Sequence, residues 1–120
     1  MENKLEEVLN TTEYEPPIYW FITVMRKVEL NDKGWPDTGA TRTWAFYHNK
    51  EYALDALHRN FTDMWETIYD YAVLEPYEEG ISGYCYDEKR IWFKYNQEID
   101  GYEEIEEPEG MKHFHGFAFG

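Results

Sequence analysis

"IYWFITVM", residues 18–25, is the longest apolar run of the chain, and how it is read decides the fold. A helix that spans a bilayer needs roughly 20 apolar residues, so this run is far too short to be one. Its aromatic and β-branched side chains favour a buried strand. Period-two alternation puts Ile18, Trp20, Ile22 and Val24 on one face, and Val28 and Leu30 continue the same phase. Tyr19, Phe21 and Met25 make the opposite face apolar too, which places the first half of the strand inside a sheet.

Reading outward, residues 1–17 form an N-terminal tail. "MENKLEEVL" allows a short helix, and Pro16-Pro17 then forces an extended entry. After the first strand, "NDKGWPDTGA" (31–40) has the composition of a loop, and "TRTWAFYH" follows as a second strand. Asn49 is placed as an N-cap with Glu51 in the first turn. Leu54, Leu57, Phe61, Met64 and Ile68 recur at helical spacing, which predicts a helix over about residues 50–60. "TIYDYAVLE" returns to the strand pattern, and "PYEEGISGY" reads as a turn-rich joint.

"RIWFKYN" and "YEEIEE" flank Ile99-Asp100-Gly101 and predict a hairpin. A three-residue loop with a bulge at Gly101 puts Ile105 on the face of Ile91, Phe93 and Tyr95, and a two-residue turn puts it on the other. The first register is the expected one. It leaves Trp92, Lys94, Asn96, Tyr102, Glu104 and Glu106 on a wet, acidic face. "KHFHGFAFG" (112–120) reads as a last strand. The expected fold class is α+β: an antiparallel sheet of about five or six strands covered by one main helix, as a single domain over residues 18–120.

The formal charge of −14 is uneven. Residues 1–60 carry seven Lys/Arg against ten Asp/Glu, while residues 61–120 carry four against fifteen. Such a field repels nucleic acid and anionic membranes and attracts basic protein surfaces, so no direct nucleic-acid or membrane partner is expected. Cys85 is the single cysteine, which rules out an intrachain disulfide and fits an intracellular, cytoplasmic location. The acidic start "MENKLEEVLN" lacks the basic and apolar regions of a signal peptide.

Catalytic signatures are absent. Ser82 in "GISGY" lacks the spacing of a nucleophile elbow, and no glycine pattern makes a phosphate cradle. Cys85 in "GYCYDE" has acidic neighbours that raise a thiol pKa. His113 and His115 point the same way on a strand but supply only two metal ligands, where a structural zinc takes four. No enzyme activity, metal or cofactor is expected.

"YWFITV", "YDYAVLE", "RIWFKY" and the terminal "GFAFG" resemble the pattern of short proteins from Firmicutes mobile elements, a likeness that runs from about Tyr19 to Gly120 and concerns structure alone. In size and charge the chain is also similar to small acidic anti-defence proteins of phages, anti-CRISPR proteins among them. That resemblance implies an inhibitor in a bacterial host cell that imitates nucleic-acid charge and binds the basic surface of a nucleic-acid-binding protein. The partner-binding residues expected are Glu98, Asp100, Glu103, Glu104, Glu106, Glu107 and Glu109. Glu78, Glu79, Asp87 and Glu88 come second, with Trp92 and Tyr102 as aromatic contacts; a homo-oligomer is also compatible. Two rival readings are a nucleotide binder using Arg26, Arg42, Arg59 or Arg90, and a subunit whose terminal strand completes a partner's sheet.

Overall fold

β1 (Ile18–Met25) is a central strand, as its two apolar faces require: β4 (Thr41–Tyr47) pairs with one edge and β5 (Tyr71–Glu78) with the other. These strands belong to a computed structural model that describes residues 16–60, 69–80, 84–86, 89–111 and 116–118. β7 (Ile91–Asn96) and β8 (Gly101–Ile105) extend the sheet beyond β5, in the order β4-β1-β5-β7-β8, with every pair antiparallel. β6 (Tyr84–Cys85) pairs with the end of β5 that β7 does not reach. The fold is α+β, an antiparallel sheet with one helix among the described residues. The first strand stops at Met25 and does not carry its phase on through Val28 and Leu30: β2 (Glu29–Leu30) pairs with β3 (Pro36–Asp37), which lies in the expected loop, in a small separate ribbon.

α1 (Lys50–His58) starts where the capping signal put it: the Asn49 side-chain oxygen accepts the Glu51 N–H at 2.7 Å and the Tyr52 N–H at 3.4 Å. It ends at His58 with Arg59 as its C-cap, and the chain turns away at Asn60, whose left-handed backbone (φ 50°) is one that asparagine tolerates better than most residues. Ala53, Ala56 and Leu57 face the sheet and meet Ile22, Val24, Ala72, Leu74, Phe93 and Tyr102 in one buried cluster. This is the even-numbered side of β1, as the alternation predicted. The remainder of the helical pattern, Phe61, Met64 and Ile68, lies outside the described residues.

β5 runs on through Pro76 to Glu78, where the sequence reading had set a turn. A proline interrupts a strand because it has no N–H to donate. Here the carbonyl of Pro76 accepts the Tyr86 N–H at 3.0 Å, so the polar edge of this residue faces away from β1. The missing donor therefore falls where the neighbour of β5 changes from β7 to β6, and the ladder to β1 stays whole.

The β7–β8 hairpin corrects the expected register. Asn96 pairs with Gly101 and Trp92 with Ile105, so the loop is the four residues Gln97–Asp100. Asp100, not Gly101, adopts the left-handed conformation (φ 48°), and the Tyr95 hydroxyl donates to its carboxylate at 2.6 Å. Ile105 consequently shares the face of Trp92 instead of that of Phe93. Gly101 is needed for a different reason: a Cβ there would run into the backbone carbonyl of His58 at the end of α1.

Trp92 and Tyr102 were assigned to a wet face, and both are buried, at 1% and 0% exposure. The register explains this. Tyr102 turns toward α1 and donates its hydroxyl to the Tyr69 carbonyl, while Trp92 turns to the opposite side. That side carries a second core of Met25, Val73, Trp92, Met111 and Phe117, with Val28 and Ile105 against it. Of the expected terminal strand, residues 116–118 are described and are not in a strand; the other residues of 112–120, with His113 and His115, lie outside the described residues.

Candidate functional site

Seven carboxylates crowd one edge of the sheet. Glu98 and Asp100 occupy the β7–β8 turn, Glu103 and Glu104 lie on the edge strand β8, and Glu106, Glu107 and Glu109 follow it. All seven are exposed, and no ion pair between described residues involves them. Because Glu103 pairs across from Lys94 and Glu104 from Phe93, successive acids point to opposite faces. The structure therefore makes an acidic ridge that straddles an edge, where the sequence suggested one flat acidic face. α1 backs this edge through Gly101 and Tyr102.

The second set of expected residues is elsewhere. Glu78 and Glu79 sit at the far end of β5 from Asp70, whose carbonyl takes the Tyr95 N–H beside the acidic turn. Eight residues of strand put about 26 Å between them at about 3.3 Å per residue. Glu79 is exposed, while Glu78 is half-buried and accepts the Tyr86 hydroxyl at 2.6 Å. Asp87 and Glu88 lie outside the described residues. Among the described residues the ridge is thus made by the first set.

The arginines proposed for a phosphate do not converge. Arg59 pairs with Asp55 on α1 at 3.0 Å, Arg42 lies over Trp44 on β4, and Arg26 follows β1. Arg90 is 8% exposed and belongs to a buried network that sequence reading missed. At its centre is Glu75, fully buried on the second-core side of β5. One oxygen of Glu75 accepts the Tyr77 hydroxyl at 3.3 Å and the Phe117 N–H at 2.9 Å. The other meets Arg90 Nε at 3.4 Å and the Cys85 thiol at 3.8 Å. Arg90 Nη1 in turn donates to the Met111 carbonyl at 3.1 Å, and its guanidinium lies over the Phe117 ring.

This network holds residues 116–118 down. The Ala118 N–H donates to the Tyr77 hydroxyl, and the Ala118 carbonyl accepts from Thr43 on β4. Gly116 (φ 138°) passes so close to the Tyr77 hydroxyl that a Cβ would sit 2.5 Å from it. Burial pushes the Glu75 carboxyl above its ordinary value, against the opposing pull of the Phe117 N–H and the Arg90 charge. Burial, and then the Glu75 charge, pushes the Cys85 thiol up to about 12. The upward direction was expected from acidic neighbours in sequence, but the causes are burial and a carboxylate ten residues away. A signal was present in "YAVLEPY": a charged residue inside an apolar strand is seldom buried unless paired.

A cleft of about 530 Å³ opens on the helix side of the sheet, between the start of β1 and the end of β5, lined by Ile18, Trp20, Pro76, Glu78, Tyr86 and Lys89 among others. Among the described residues no group of three His, Cys, Asp or Glu side chains is placed to hold a metal ion. No helix of the described residues is long and apolar enough to cross a membrane. The chain matches no protein-family model, no curated protein and no solved structure.

Proposed function

We propose that this protein is a non-enzymatic binder that presents its acidic β8 ridge to the basic surface of a nucleic-acid-binding protein, as a charge mimic of nucleic acid and in the manner of an anti-defence inhibitor. The observation that carries this reading is the set of seven exposed carboxylates along one sheet edge with no ion-pair partner among the described residues. Exposed acids that serve only solubility are commonly interleaved with lysine or arginine. Here residues 98–109 contain none. Like charges held together raise one another's energy, and a cationic partner relieves that repulsion while the field speeds its arrival. The ridge also guards β8, since an unpaired strand edge flanked by charges resists pairing with other chains.

The chemistry of the buried network supports a binder over an enzyme. A thiol with its pKa near 12 is not a nucleophile at neutral pH. Glu75 has its hydrogen bonds taken by its own chain and is closed off from solvent. The docked position of Phe117, 7% exposed in the second core, argues against the terminal segment serving as a donor strand for a partner's sheet.

The test is affinity capture from a bacterial lysate at low and high salt, with wild type beside the double variant Glu104→Lys, Glu106→Lys. The expected outcome is retention of a basic nucleic-acid-binding protein that is lost as salt rises and is weakened at least tenfold by the charge reversals. Retention that ignores both salt and the variant would overturn the reading.

A further inference from the structure

The cleft beside Trp20 lies at the end of β5 remote from the β7–β8 turn, and its lining combines three kinds of group in one place. The first is aromatic surface: the indole of Trp20 and the phenol of Tyr86, with Pro76 between β1 and β6. The second is a carboxylate, Glu78, held in place by the Tyr86 hydroxyl at 2.6 Å. The third is ammonium: Lys89 lines the cleft, and Lys50 stands beside it against the Trp20 ring. Lys50 Nζ lies 5.2 Å from the centre of the Trp20 ring, and Lys89 Nζ lies 5.3 Å from that of Tyr86.

We infer that this cleft is a binding site for a nucleoside phosphate. Each kind of group answers one part of such a ligand. Bases stack on aromatic side chains whatever their identity, because every base has a π face. A fixed carboxylate accepts hydrogen bonds from ribose hydroxyls. Ammonium groups on flexible stems close on phosphate as point charges. The volume, about 530 Å³, falls within the roughly 300–1,000 Å³ usual for small-molecule sites.

Other occupants fit less well. A base that stacks here has to move Lys50 or Lys89 off its ring, and the phosphate it carries gives the ammonium group a new partner; a cationic ligand would displace the same groups and repel them. A purely apolar ligand would strip water from the Lys89 ammonium group and from the Glu78 oxygen that Tyr86 does not bond. The net charge of −14 does not forbid an anion here. At physiological ionic strength exposed charges are screened beyond about 8 Å, which sets aside the β7–β8 turn about 26 Å of strand away and leaves Glu78, already bonded to Tyr86, and Glu79 as the described acids at this end of β5. The inference is independent of the acidic ridge, and neither depends on the other.

The test is a titration of the whole protein with AMP, GMP, CMP and UMP, followed by calorimetry and by the Trp20 indole signal in NMR spectra. Adenosine and ribose 5-phosphate serve as half-ligands. At least one nucleotide is expected to bind with Kd below about 1 mM and to shift the Trp20 signal, with its nucleoside and the sugar phosphate each about tenfold weaker. Lys89 is exposed, so Lys89→Ala leaves the fold intact. That variant is expected to weaken the nucleotide about tenfold, leave the nucleoside unchanged and so erase the preference between them. The variant Glu104→Lys, Glu106→Lys is expected to bind the nucleotide as wild type does. Absence of binding by all four nucleotides up to about 5 mM would overturn the inference, as would a Lys89→Ala variant that keeps the full preference for nucleotide over nucleoside.

Discussion

Under α1 the sheet buries Ile22, Val24, Leu74 and Phe93 in a cluster with no charged member, whereas its other face sets Glu75 and Arg90 beside Val73, Trp92 and Phe117. Both faces exclude water, but they are held by different physics. On the helix side each residue contributes by the apolar area it buries, a term that is non-directional and does not depend on which neighbour supplies the cover. On the other side Glu75 and Arg90 are tolerable only because each supplies what the other lacks. The first face degrades gradually under mutation. The second is a set of mutual dependencies that also closes residues 116–118 over the sheet.

Arg90→Ala breaks the second face most directly. It leaves Glu75 buried without its cation and removes the bond to the Met111 carbonyl, so a loss of about 3–5 kcal/mol in urea unfolding is expected. The double variant Glu75→Leu, Arg90→Met sharpens the comparison. It removes both charges together and is expected to be more stable than Arg90→Ala. A double variant no better than the single one would show that the charges themselves, and not their pairing, hold this face.

On the helix side, Leu57→Ala is expected to cost about 3 kcal/mol by the cavity it leaves, with no pH dependence of its own. The smallest effect is a pH slope. Burial raises the folded-state pKa of Glu75 above the ordinary 4.5, so the folded protein holds a proton that the unfolded chain has already released. The stability from this group is fully present below about pH 4.5 and is lost as pH rises through the folded-state value. Wild type is therefore expected to lose stability relative to Glu75→Gln as pH rises above about 4.5, measured by unfolding midpoints. A constant difference would place Glu75 at its ordinary pKa and remove the argument from burial.

The helix side was legible in the chain itself. The alternation of Ile18, Trp20, Ile22 and Val24 put β1 in a sheet, and the Asn49 cap put the start of α1 within a residue. The acidic stretch after Asn96 was equally plain as a sequence of charges. Its shape was not, because a hairpin's parity depends on loop length, and a four-residue turn with Asp100 left-handed sends Ile105 and Tyr102 to the sides opposite those expected. Nor was Pro76 readable as a strand residue, since its missing N–H matters only in relation to which neighbour stands beside it.

What the sequence determined by itself is local or additive: strand and helix periods, the cap, the net charge and its concentration in the second half. These follow from side chains within a turn or two of one another, or from simple sums. The tertiary structure alone decided which face each residue of the hairpin takes, that Trp92 and Tyr102 are core, and that Glu75 meets Arg90 and Phe117, the latter 42 positions along the chain. A buried charge is identified by its partner, and the partner is brought to it only by the fold.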